Sequence, residues 1–139
     1  MASNAMLFAI DPYPRGRLGF SAQRIIAHKE VSGVSNGTVT WIRDTGANAV
    51  TILRGTEFFD FVFIDGDHSY EGLQADWTGW SSLLAPAGII ALHDSRSTPE
   101  RPIDNAGSVQ FTRKVILPDT QFEVIETVDS LTVLRRNGR

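Results

Sequence analysis

Four short apolar segments each run directly into residues that can do chemistry. Leu7 to Ile10 ends at Asp11, and Thr38 to Ile42 ends at Arg43-Asp44-Thr45. Phe61 to Ile64 ends at Asp65-Gly66-Asp67-His68, and Ile89 to Leu92 ends at His93-Asp94-Ser95. A carboxylate in such a place can accept hydrogen bonds from two hydroxyl groups of a ligand at once. Several carboxylates together can hold a hard divalent ion through oxygen. Imidazole titrates near neutrality, so His68 and His93 suit proton removal, with Asp67 as a further candidate base. The plainer alternative is that aspartates at strand ends cap helices and turns. It weighs most at Asp44 and least over Asp65 to His68. A histidine in a helix-entry turn is also often only a cap or surface group, which bears on His68.

The elements that must position these residues follow from the hydrophobic pattern. Leu7–Ile10, Phe61–Ile64 and Ile89–Leu92 are apolar throughout, which predicts strands buried on both faces. Thr38–Ile42 has β-branched and aromatic strand composition. Pro12, Pro14, Gly16 and Gly19 mark a loop, after which a helix is expected from Ser21 to about Val31, with Ile25 and Ile26 inward. A short helix from Asp44 to about Leu53 would carry Ala47, Val50 and Leu53 inward. Leu73, Trp77, Trp80 and Leu84 recur at spacings of four, three and four, one apolar helical stripe. The two tryptophans therefore read as core, and Pro86 and Gly88 stop that helix. Ser95 to Asn105 is a polar loop, Ser108 to Leu117 a helix, and Phe122–Glu126 and Leu131–Leu134 an antiparallel pair joined at Asp129-Ser130. Strands alternating with helices predict an α/β fold, mostly parallel, with a C-terminal antiparallel hairpin. In such sheets ligands bind beyond the carboxyl ends of the strands. The chemistry-bearing residues sit at those ends.

Composition narrows the function classes. The 139 residues are 42% hydrophobic and 21% charged, with a net charge of −3 and no cysteine. Disulfides, thiolate metal sites and thiol nucleophiles are excluded, and the absence of cysteine fits a cytoplasmic protein. No basic excess suggests nucleic acid, and no apolar run approaches the ~20 residues that span a bilayer. Met1 to Ala5 reads as an expression remnant, leaving 6–139 as a single domain.

The stretch Phe59-Asp60-Phe61-Val62-Phe63-Ile64-Asp65-Gly66-Asp67-His68-Ser69-Tyr70-Glu71 resembles the fourth-strand motif of class I S-adenosylmethionine-dependent methyltransferases. Its continuation to Ala85-Pro86-Ala87-Gly88-Ile89-Ile90-Ala91-Leu92-His93-Asp94 is similar to the same family, as is the closing Val128-Asp129-Ser130-Leu131-Thr132-Val133-Leu134. The resemblance covers about residues 7 to 135, and its most specific part is 59 to 95. It implies a Rossmann-like sheet and methyl transfer from S-adenosylmethionine to a small-molecule hydroxyl, in some members with a divalent metal such as Mg²⁺. It assigns Asp11 to the cofactor ribose, Asp44 with Thr45 to the adenine region, and Asp65 to the methionine end. It also makes Asp65, His93 and Asp94 metal ligands. Family members carry a polar or acidic pair where His93-Asp94 stands, and imidazole is a poor Mg²⁺ ligand.

The family fold opens with a strand and a Gly-x-Gly-x-Gly turn, whose backbone approaches the cofactor closely. No two glycines stand at i and i+2 in this sequence, so the chain is expected to begin at the family's second strand, as an incomplete domain. Cofactor binding and catalysis by this chain alone are left open by that departure. The family strand order 3-2-1-4-5-7-6 would leave Leu7–Ile10 and Phe61–Ile64 each short of a neighbour, and unpaired edges invite self-association. Two other readings remain: a metal-dependent glycosyltransferase using Asp65-Gly66-Asp67 as a D-x-D pair, and a non-catalytic fragment that assembles with another chain.

Overall fold

The computed structural model describes residues 5–14, 21–33, 35–55 and 58–138. Met1 to Asn4 of the expected remnant, and Gly16 and Gly19 of the expected loop, lie outside them. The chain divides into two compact units, residues 1–49 and 50–139.

In the first unit, β1 (Ala5–Ile10) and β2 (Gly37–Ile42) pair in parallel through the connecting helix α1 (Ala22–Val31). Ser21 caps α1 by accepting a hydrogen bond from Arg24 N at 3.3 Å, as N-cap serines do. Two expectations need correction. Ile25 and Ile26 do not face inward; they are 57% and 59% exposed, and α1 buries no residue. Nor is β1 buried on both faces, because Met6 and Leu7 lie open. An apolar pattern creates a face to be covered but does not supply the cover. Helix α2 (Gly46–Leu53) begins at the end of this unit and continues into the next. Val50 and Leu53 are buried as expected, but Ala49 takes the buried place expected of Ala47, which is exposed.

The second unit holds a four-stranded sheet in the order β3-β4-β6-β5. Its strands are β3 (Phe59–Ile64), β4 (Leu84–Leu92), β5 (Phe122–Val128) and β6 (Leu131–Arg136). β3 and β4 run parallel, and β6 runs antiparallel to both β4 and β5. The orders β2-β1 and β3-β4-β6-β5 match 3-2 and 4-5-7-6 of the expected family order. Strand β3 buries Val62 and Ile64 on one face and leaves Phe61 and Phe63 exposed on the other, so it is half-buried, not buried on both faces.

Helix α3 (Tyr70–Leu83) buries Leu73, Trp77, Trp80 and Leu83. Leu84, the expected last member of the stripe, instead opens β4. Pro86 disfavours helical backbone just before it, and Arg136 Nη1 donates to Leu84 O at 2.5 Å to finish the helix end. Trp77 packs against Phe122 and Trp80 against Phe59, with ring centroids 4.8 and 5.8 Å apart. The tryptophans are core. The next helix starts as α4 (Gly107–Phe111) and widens into a π-helical turn over Thr112–Ile116. No helix among the described residues is long and apolar enough to cross a membrane.

Candidate active site

At the strand ends of the first unit the acids serve local geometry. Asp11 Oδ1 accepts from Tyr13 N at 2.6 Å, and Arg43 donates to the carbonyls of Pro12 and Tyr13 at 3.3 and 2.8 Å. Asp44 Oδ1 accepts from Thr45 N and Asn48 Nδ2, and Thr45 Oγ1 accepts from Asn48 N. Thr45 therefore caps the start of α2, and Asp44 braces the turn before it through Thr45 N and the Asn48 side chain, close to the plainer role weighed above.

In the second unit the parallel strands β3 and β4 bring two polar turns side by side. His93 N donates to Ile64 O at 3.0 Å, which fixes the end of one strand against the other. His93 Nδ1 then lies 3.0 Å from Asp65 Oδ1. His68 reaches the same oxygen from the other side, its Nε2 at 3.6 Å. Asp65, His68 and His93 form the one metal-capable group among the described residues, with one donor atom from each within 4.8 Å of the others.

The turn carrying His68 is held by its own backbone and by α4. Ser69 caps α3, accepting from Gly72 N at 3.0 Å, while Asp67 Oδ1 accepts from Ser69 N at 2.9 Å. Ser108 N donates to His68 O. A Cβ at Gly107 would stand 2.2 Å from Tyr70 N, so only glycine lets α4 approach this turn. The hydrogen bonds from Ser69 hold the Asp67 carboxyl below the usual carboxylate range, which makes Asp67 the weaker proton acceptor of the three candidates.

Asp94 has a different environment. Its backbone is left-handed, φ 48°, and its carboxylate is almost wholly buried. Arg101 binds both oxygens, through Nε to Oδ1 at 2.6 Å and through Nη2 to Oδ2. Ser130 Oγ adds a 2.7 Å hydrogen bond to Oδ1. These contacts, Arg101 foremost, hold the carboxyl well below the usual range against the opposing effect of burial. Asp94 lies close to both histidines, with Oδ2 at 3.5 Å from His68 Nδ1 and 3.7 Å from His93 Nδ1. Expected as a metal ligand, it lies outside the metal-capable group.

Three participants escaped the sequence reading. Arg101 lies in the polar loop that carries no motif, and Ser130 was visible only as a turn residue. Asp76, on α3, was hidden within the apolar stripe. Burial, with Asp67 nearby, raises its pKa, and its Oδ2 lies 2.8 Å from where a Cβ on Gly66 would be.

The model of a methyltransferase-domain family matches residues 1–95. The chain belongs to that family. Solved structures share its Rossmann-like fold. A Corynebacterium glutamicum protein is 20% identical with a TM-score of 0.66, over 95% of this chain and 61% of its own. The O-methyltransferase TomG of Streptomyces achromogenes, involved in tomaymycin synthesis and solved with S-adenosylmethionine, is 17% identical with a TM-score of 0.59, over 96% of this chain and 62% of its own. The mycinamycin-pathway methyltransferase MycE, solved with Mg, S-adenosylhomocysteine and mycinamycin VI, is 12% identical with a TM-score of 0.60, over 98% of this chain and 45% of its own. The chain therefore spans less than two thirds of these relatives. No curated protein matches it in sequence.

Proposed function

We propose that this domain transfers a methyl group from S-adenosylmethionine to a hydroxyl of a small molecule, with His68 as the proton acceptor. The observation that carries the reading is the position of His68 within 3.6 Å of both Asp65 and Asp94, at the ends of the parallel strands β3 and β4 of a methyltransferase-family domain. Bound S-adenosylmethionine supplies an electrophilic methyl group on a sulfonium. Asp11 would hold its ribose through the carboxylate oxygen that takes no hydrogen bond among the described residues. Asp44 and Thr45 are the proposed contacts of the adenine region, and Asp65 of the methionine end.

The work left to this chain is deprotonation. The acceptor oxygen must lose its proton as it attacks, and His68 is the imidazole placed within 3.6 Å of both Asp65 and Asp94 to take it. Asp94 is fixed by Arg101 and Ser130, so it offers His68 a steady negative charge. His93 is the alternative acceptor, and Asp67 is disfavoured by its hydrogen bonds to Ser69. A divalent ion, where one binds, would be held by Asp65, His68 and His93 as a Lewis acid, and while bound to His68 it would occupy the proton acceptor. No proton step in this reading depends on it.

We further propose that the domain works in the cytoplasm, and that copies associate through strand edges. Strand β3 lies at an edge of its sheet and carries Phe61 and Phe63 exposed, with Phe58 exposed just before it. The same edge would serve the alternative of a non-catalytic piece completed by another chain. The D-x-D glycosyltransferase reading loses support, because Asp67 is committed to the helix-entry turn and the family is one of methyltransferases.

The test is a panel of small sugars and phenols offered with S-adenosylmethionine, reading S-adenosylhomocysteine formed. Turnover on some member, lost in His68→Ala, is expected. Turnover that His68→Ala leaves unchanged would remove His68 from this role.

A further inference from the structure

We infer that Asp65, His68 and His93 form a site selective for a borderline transition ion such as Zn²⁺ or Co²⁺ over Mg²⁺, with Asp94 outside the coordination shell as the group that orients His68.

The donor chemistry comes first. Mg²⁺ prefers oxygen ligands and keeps several waters, whereas imidazole suits zinc and its neighbours. This cluster offers one carboxylate and two imidazoles. The acid that would make the set oxygen-rich, Asp94, is withdrawn: Arg101 and Ser130 take up its oxygens, and it is almost wholly buried.

The spacing agrees. Ligands at tetrahedral zinc distances stand about 3.3 Å apart. The Asp65 oxygen lies 3.0 Å from His93 Nδ1 and 3.6 Å from His68 Nε2. His68 is half-exposed, so its ring is free to close the longer third distance by a small rotation.

A second, independent observation points to a missing partner. His93 Nδ1 is buried and makes no hydrogen bond, although Asp65 Oδ1 is 3.0 Å away. The oxygen lies off the direction that an N–H bond would need. A ring nitrogen left without a partner beside a carboxylate is satisfied, together with that carboxylate, by one cation that both ligate. The Asp94 carboxylate sits 3.5 Å from the other ring nitrogen of His68, Nδ1. Metal-bound histidines commonly turn their second nitrogen toward such a carboxylate, which sets the tautomer and sharpens the ligand.

One consequence rests on the proposed function: an ion on His68 Nε2 occupies the proton acceptor, so such an ion would inhibit methyl transfer. The site itself does not depend on that reading, and its test needs no turnover. Chelator-stripped protein is titrated with CoCl₂ and followed by visible absorption, then challenged with ZnCl₂ or MgCl₂. Saturable binding at one ion per chain is expected, with the intense bands of a low-coordinate nitrogen–oxygen site. Zn²⁺ should displace Co²⁺, and Mg²⁺ should fail to do so at about a hundredfold higher concentration. Asp65→Asn and His93→Ala should each weaken binding at least about tenfold, with melting curves verifying that both variants fold. Displacement by Mg²⁺ at comparable concentration, no Co²⁺ binding by the wild-type chain, or full binding in both folded variants would overturn the inference.

Discussion

At Asp94 one buried carboxylate takes a guanidinium, a hydroxyl and two nearby imidazoles, and this residue connects the stability of the site to pH. Its pKa is depressed in the folded protein, so the folded state binds its proton less readily than the unfolded chain. The stability it contributes is complete above the unfolded value of about 4 and drains away as pH falls through the folded value. Asp94→Asn should therefore lower unfolding free energy near neutrality by about 1.5–3 kcal/mol and flatten the loss below about pH 4. Urea unfolding at several pH values measures both effects. Asp76 works in the opposite sense, because its raised pKa favours the protonated folded form, so the difference between variant and wild type is the informative quantity. At the same scale, added Zn²⁺ should suppress turnover in any methyl-transfer assay, and a chelator should restore it. The aspartates and histidines themselves were legible as polar residues directly after apolar strands. The partner of Asp94 was not, since nothing in a motif-free loop marks Arg101 as the residue that returns to the strand end.

Between elements, α4 approaches the start of α3 closely, with Gly107 lying against the backbone of Ser69 and Tyr70. Gly107→Ala must push these two helix starts apart, at a cost of about 1–3 kcal/mol. It should also loosen the turn that carries His68, because Ser108 N is bonded to His68 O. Thermal unfolding measures the first effect, and exchange broadening of the His68 ring signals measures the second. Helix α3 was legible because Leu73, Trp77 and Trp80 keep helical spacing and all three are buried. The exchange of Leu84 for Leu83 reflects the backbone instead: the chain turns extended ahead of Pro86 before the period would end. In α1 the period placed Ile25 and Ile26 together, but burial requires a second surface, which periodicity does not specify.

For the whole molecule, the strand sequences and their resemblance indicated neighbours correctly: β1 beside β2, and β3-β4-β6-β5 with the last strands antiparallel. The alternation of strands and helices and the two-residue hairpin turn gave the parallel class and the antiparallel closing pair, while the order of the strands came from the family resemblance. In the structure β3 lies at an edge of its sheet. If that edge mediates association, sedimentation velocity at tens of micromolar should show a dimer or larger species, and Phe61→Lys should shift it to monomer by placing charge on the contact. The central claim is narrower: the acid after β1 binds the cofactor, while the histidine after β3 serves the chemistry. Calorimetric titration of S-adenosylmethionine into the wild type, Asp11→Ala and His68→Ala tests it directly. The account predicts saturable binding by the wild type, weakened by about 1.5–3 kcal/mol in Asp11→Ala and nearly unchanged in His68→Ala. No binding by the folded wild-type chain, or equal affinity in all three proteins, would contradict it.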